Sequence, residues 1–238
     1  MGIDFTTLEV ILQSLLYNPN KKKLLTLGRQ QINMHKYNIN FLFNKYNLSY
    51  FNNKYTYDDY CEDLLYDLGF LDIDSLDANN YQNATIIHNL NLPIPYNLKH
   101  YDYIFDGGTI EHIFNIPQVL ENIINLLEIE GIFCSITCNN NFSGHGMYQF
   151  SPELFLSSLT EKYGMQILAL YIAENNTEFH TWIDVNDFNK QNNGRNIASF
   201  KSNKEVYIIT IAKKISNTRE SLITNPPNQY SYENIEWN

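Results

Sequence analysis

The residues best suited to chemistry lie between Tyr101 and His112. A buried-type run, Tyr101 to Phe105, leads into Asp106, Gly107 and Gly108, and Glu111 with His112 comes closely after. Two glycines after a strand let a ligand approach the backbone. Asp106 can accept a hydrogen bond from an ammonium group, and a Glu-His pair at a strand-end loop can hold and move a proton. A second loop, residues 137–150, places His145 between Gly144 and Gly146 among amides and aromatics. A neutral imidazole there can take the proton of a hydroxyl group, which makes His145 the leading candidate general base. Its flanking glycines suit a lid. The competing reading for each histidine is a loop residue bonded to backbone.

Three further strand ends carry candidates. Gly28, Arg29 and Gln30 come after the first strand. Gly28 permits close backbone approach, and the Arg29 guanidinium can pair with a carboxylate or make a surface contact at a helix start. Asp77 ends the second strand, where a carboxylate can accept both hydroxyls of a ribose; Asp72 and Asp74 leave the register open. Asn89 and Leu90 lie in a polar turn that could present backbone and amide groups to a purine base, or could be an ordinary strand-to-loop transition. Neither GxGxxG nor GxxxxGK[ST] occurs, which counts against a phosphate-cradling loop and against a nicotinamide-dependent oxidoreductase. Cys61, Cys134 and Cys138 are odd in number and fit no zinc spacing, and His88, His112, His145 and His180 show no ligand spacing either. No metal is expected.

The elements that must position these residues alternate. Residues 6–17 have a helical stripe of Leu8, Ile11, Leu12, Leu15 and Leu16, with Thr6 and Glu9 as a capping box. Lys23 to Leu27 is a short strand. Residues 36–55 are ambiguous, a helix and then a loop. Residues 57–68 predict a helix capped by Thr56 and ended by Gly69. Strands are expected over 70–76, 84–88, 101–105, 131–136, 165–171 and 206–212. Helices are expected after Pro117, whose position in the first turn wastes no donor, and after Ser151. Residues 175–203 read as a polar surface loop. This alternation predicts an α/β fold with a mostly parallel sheet covered on both faces, and ligands of such sheets bind at the carboxyl ends of the strands.

Bulk properties narrow the function. A chain of 238 residues suits one α/β domain, here 1–216, with a tail over 217–238 that is either disordered or draped on the domain. A net charge of -10 argues against nucleic-acid partners. The one basic run, Lys21 to Lys23, is expected on the solvated surface. No apolar run reaches the roughly 20 residues of a membrane span, and the opening MGIDFTTLEV lacks the basic and apolar regions of a signal peptide. A cytoplasmic protein with reduced thiols and no membrane partner is expected. Oligomeric state is left open.

In this order, these segments resemble the class I S-adenosylmethionine-dependent methyltransferases. YDYIFDGGTIEHIF, the helix over 117–127 and LLEIEGIFCSIT resemble that superfamily's fourth strand, the helix after it and the fifth strand. A narrower group of methyltransferase-like chains from glycan clusters and large viruses is similar at LLTLGRQ, ATIIHNLNLPIP, FDGGTIEHIFNIPQVL and NNNFSGHGMYQFSPELF. The resemblance implies a Rossmann-like fold with a mostly parallel seven-stranded sheet and a pocket for S-adenosyl-L-methionine. It assigns Gly28, with Arg29 and Gln30, to the methionine portion, Asp77 to the ribose, Asn89 and Leu90 to the adenine, and Asp106 and Gly107 to the loop beneath the sulfonium. His145, His112 and Glu111 remain for proton removal. Thr26 and Gln30 depart from the usual acidic residue and later glycine. The implied activity is O-methylation of a small molecule or of a sugar or glycan precursor; the alternative is a catalytically inactive binding or scaffold module.

Overall fold

The computed structural model describes residues 2–48, 55–185 and 200–228. Strands β1 (Lys23–Leu27), β2 (Asp72–Asp77), β3 (Ile86–Ile87), β4 (Tyr101–Gly107) and β5 (Leu127–Asn140) pair in parallel. With β6 (Met165–Glu174), β7 (Ile183–Asp184) and β8 (Val206–Lys214) they make an eight-stranded sheet in the order β3-β2-β1-β4-β5-β8-β6-β7. β8 is antiparallel to β5 and β6, and β7 is antiparallel to β6. The Rossmann-like α/β architecture is therefore present and the sheet is mostly parallel. The eighth strand is the two-residue edge β7, within the stretch expected as a polar loop. Residues 186–199 of that stretch, and 229–238 of the tail, lie outside the described residues.

Period-two alternation sends neighbouring side chains to opposite faces. Leu24, Tyr103, Phe105 and Cys134 join one core with helices α1 (Phe5–Ser14), α2 (Lys36–Lys45) and α3 (Glu62–Asp67). Leu25, Leu27, Ile104 and Phe133 join the other with α4 (Ile116–Leu126) and α5 (Pro152–Ser158). Buried on both faces, the central strands read as near-continuous apolar runs.

Several local expectations need correction. The cap of α1 is Asp4, whose Oδ1 accepts from the Thr7 amide at 2.8 Å, so Thr6 and Glu9 form no capping box. Glu9 is buried and meets Lys45 of α2 at 2.7 Å. α3 starts at Glu62, well after Thr56. Residues 57–61 cannot wind into it because they are tied to the segment leaving β1. The Cys61 amide donates to the Gln30 carbonyl, the Ile32 amide donates to the Asp59 carbonyl, and Tyr60 bridges Gln31. Lys21 is buried, with its ammonium group over the Phe70 and Tyr103 rings; desolvation lowers its pKa to about 8. In the tail, Arg219 reaches Glu121 of α4 at 2.8 Å and Leu222 is buried, so residues 217–228 lie against the domain. No helix among the described residues is long and apolar enough to cross a membrane.

Candidate functional site

The strand order reverses between β1 and β4, and the carboxyl ends of β1 to β4 gather the sequence candidates beside that switch point. A cavity of about 290 Å³ opens there, lined by Leu76, Asp77 and Ala78 after β2, by His88 to Asn91 after β3, and by Thr109, His112 and Ile113 after β4. That is just below the usual range of ligand pockets, roughly 300–1,000 Å³. Asp77 enters this cavity half-buried. Asp72 and Asp74 are not among its lining residues, and Lys99 holds them at 2.7 and 2.5 Å.

The wall formed by residues 88–94 is set by a residue that the sequence reading passed over. Asn122 of α4 is fully buried; its amide donates to the Leu90 and Leu92 carbonyls, and its oxygen accepts from the Ile94 amide and from Gln118. Asn89 Oδ1 is engaged by Asn91, and Asn91 Oδ1 accepts from the Asn115 amide. Leu90 is buried, so it offers the cavity an apolar floor and little else. A polar residue amid the apolar stripe of α4 was the available signal for Asn122.

The seam between β1 and β4 differs. Gly28 has φ +68°, and its amide donates to the Leu76 carbonyl at 2.8 Å. A Cβ on Gly28 would meet Thr109 Oγ1 at 3.0 Å, and one on Gly107 would meet Gln30 Oε1 at 2.8 Å. Gln30 Nε2 and Thr109 Oγ1 both donate to the Leu27 carbonyl. Both glycines therefore make room, at least in part, for the chain's own side chains. Gln30 Oε1 is buried and has no hydrogen-bond partner among the described residues.

Two assigned residues face elsewhere. Arg29 is bound to Glu62 at 2.6 Å and to the Gln82 carbonyl, and stacks 3.6 Å above the Tyr60 ring. It tethers α3 to the segment after β1 and is not among the residues that line the cavity. Asp106 is fully buried and turned into the turn after β4, accepting from the Thr109 and Ile110 amides and from Ser135 Oγ. Desolvation raises its pKa to about 6 against those hydrogen bonds.

Glu111 and His145 do come together. The Gly144–Gly146 segment forms a pinned turn instead of a free hinge: the Met147 and Tyr148 amides donate to the Glu111 carbonyl, and the Phe150 amide donates to the Cys138 carbonyl. Gly146, at φ +70°, lies where a Cβ would be 3.0 Å from Glu111, so glycine allows the close approach. His145 Nε2 is then 3.8 Å from Glu111 Oε1, and Cys138 Sγ donates to the same oxygen at 3.4 Å. Glu111 is fully buried; desolvation, then the nearby Asp106 charge, raises its pKa to about 7. The His112 ring lies 5.0 Å from that of His145, and desolvation, with His145 second, lowers its pKa. Among the described residues, Glu111 Oε2 and His145 Nε2 are buried without hydrogen-bond partners.

No protein-family model matches the sequence, and no curated protein matches it significantly. Solved structures are similar at low identity. TehB from Haemophilus influenzae is 14% identical with a TM-score of 0.45, over 87% of this chain and 61% of that one. An O-methyltransferase from a Brevibacillus brevis trans-AT PKS multienzyme, in complex with S-adenosyl-L-homocysteine, is 13% identical with a TM-score of 0.47, over 89% and 73%. The [4+2]-cyclase SpnF is 12% identical with a TM-score of 0.49, over 89% and 82%. This chain thus spans under two-thirds of TehB.

Proposed function

We propose that this chain is an S-adenosyl-L-methionine-dependent methyltransferase that methylates an oxygen of a small molecule or a sugar or glycan precursor. The observation that carries the reading is the cavity between the ends of β2, β3 and β4, with Asp77 on its wall beside the switch point. Its shape and its carboxylate suit a nucleoside. Asp77 would accept the ribose hydroxyls, while Leu90 and the backbone of 88–91 would flank the base. At the other end, the partnerless Gln30 Oε1 suits the cofactor's ammonium group. Bound there, the cofactor supplies a methyl group already activated on a sulfonium, so the protein's task is mainly to position it and the acceptor.

Removal of the acceptor's proton falls to the cluster at Glu111. The buried Glu111 carboxyl group faces the His145 imidazole at 3.8 Å and can hold the ring in place. His145 is the base of this scheme and His112, which lines the cavity, is its neighbour. The sugar or small-molecule acceptor rests on the sequence resemblance.

One observation favours a second reading. The residues lining this cavity reach Thr109 and do not include Gly28 or Gln30, and Gln30 and Thr109 cover the Leu27 carbonyl, so the amino-acid end of the cofactor would have to pass these two side chains. A nucleoside-binding module without methyl transfer would look the same. Titration calorimetry separates the two: S-adenosyl-L-methionine binding at least as tightly as adenosine supports the methyltransferase, whereas heat with adenosine alone supports the binding module. If the first holds, His145→Ala should lower turnover by about 10²–10⁴-fold with cofactor affinity intact, as loss of a general base does.

A further inference from the structure

We propose that Glu111, Cys138 and His145 form a three-ligand site for a zinc-class divalent ion, with a fourth position open to water or to an acceptor oxygen. Glu111 Oε1, Cys138 Sγ and His145 Nε2 all lie within 4.8 Å of one another. The Cys138–Glu111 and His145–Glu111 separations are 3.4 and 3.8 Å. Tetrahedral zinc, with bonds of about 2.0 Å to nitrogen and oxygen and about 2.3 Å to sulfur, sets its ligands roughly 3.3–3.6 Å apart. The Cys138–His145 pair, within 4.8 Å, is the one left to close on binding.

A second, independent observation points to a ligand. The fully buried Glu111 has an Oε2 without a partner, and His145 Nε2 is also buried and partnerless. Leaving two such atoms unsatisfied is costly; an ion would take up His145 Nε2 directly and the Glu111 carboxylate through either of its oxygens. The charge also balances. Binding would remove the Cys138 thiol proton, and one thiolate with one carboxylate neutralises a divalent ion inside the protein. The donor set, one thiolate, one imidazole and one carboxylate, is too soft for magnesium or calcium and suits zinc.

The site escapes a sequence scan because its ligands come from the turn after β4, from β5 and from the loop after β5. The fold alone brings them together. His112, beside His145, connects the cluster to the cavity wall. Resting on the methyltransferase reading, the ion would bind the acceptor hydroxyl and lower its pKa; with the ion bound His145 would act as a ligand in place of the base, and His112 would stand next to the released proton. Binding of the ion itself does not depend on that reading.

The test uses the full chain, stripped with chelator and titrated with Zn²⁺ against a chromophoric chelator, then with Co²⁺ read by its visible spectrum. One tightly bound ion per chain is expected, with the sulfur-to-cobalt charge-transfer band of a cysteine ligand. Cys138→Ser should abolish that band. His145→Ala, in a loop, should weaken Zn²⁺ binding by about 100-fold or more. His180→Ala, at an exposed histidine, should leave binding unchanged. If Cys138→Ser fails to fold by circular dichroism, His145→Ala decides. No stoichiometric ion, or affinity unaltered in His145→Ala, overturns the site. None of these readouts involves S-adenosyl-L-methionine, so failure of the methyltransferase reading would register separately in calorimetry.

Discussion

At the carboxyl edge of the sheet, the β2–β3 side and the β1–β4 seam solve opposite problems. Beyond β2 and β3 the backbone is held back from the cavity: Asn122 ties the carbonyls of Leu90 and Leu92 to α4, and open volume remains in front of Asp77. At the seam two glycines leave clearance that Gln30 and Thr109 enter. Glycine in a strand-end turn thus does not by itself signal an open ligand site. What occupies the clearance decides, and here both occupants are polar and one of them, Gln30, keeps an unused acceptor.

The contrast can be broken most forcefully at Asn122. Asn122→Ala takes the side-chain partner from the buried Leu90 carbonyl and from the part-buried Leu92 carbonyl and Ile94 amide, and should cost about 2 kcal/mol of stability in urea denaturation and weaken nucleoside binding. Normal stability with normal binding would show that the wall at 88–94 needs no tether. Asp77→Ala should weaken nucleoside and cofactor binding alike, by roughly 1–3 kcal/mol in calorimetry, through a lost charged acceptor. An unchanged affinity would move the ribose role elsewhere.

Gln30→Ala sharpens the comparison. If Gln30 Oε1 receives the ammonium group, S-adenosyl-L-methionine affinity should fall about tenfold and adenosine affinity should hold. Tighter cofactor binding in this variant would mark Gln30 as an obstruction instead. The smallest effect lies at the other end of β2. Burial would raise the Asp74 carboxyl, but hydrogen bonds from Lys99 and Tyr101 outweigh it and hold the pKa below the usual value. A depressed folded-state pKa gives stability that is present above the unfolded value of 3.8 and lost as pH falls through the folded one. Asp74→Asn should therefore flatten the acid limb of the stability curve by less than about 1 kcal/mol, with the cavity unaffected. A change in nucleoside affinity would couple the two ends of the strand.

Much of this was legible without coordinates. Lys23–Leu27 reads as a strand because its four buried residues are apolar or β-branched and a glycine comes next. α4 reads from its period and from Pro117. Asp77, Asn89 and Leu90 stand out because a parallel sheet sends the carboxyl ends of its strands to one edge, where residues just past those ends collect. The shortened α3 was not legible, because the bonds that hold residues 57–61 to the exit from β1 are nonlocal.

Periodicity and turn chemistry are local, so the sequence by itself determined the alternation of strands and helices, the two-faced core and the strand ends where chemistry gathers. The tertiary structure alone decided which of those side chains are spoken for: Arg29 by Glu62, Asp106 by its own turn, and Asn122 by the loop of residues 88–94. It also brought Cys138, 27 residues from Glu111, to the same buried carboxylate as His145. The physical reason is that a hydrogen bond or a ligand contact across the fold depends on packing in three dimensions, and no spacing along the chain encodes it.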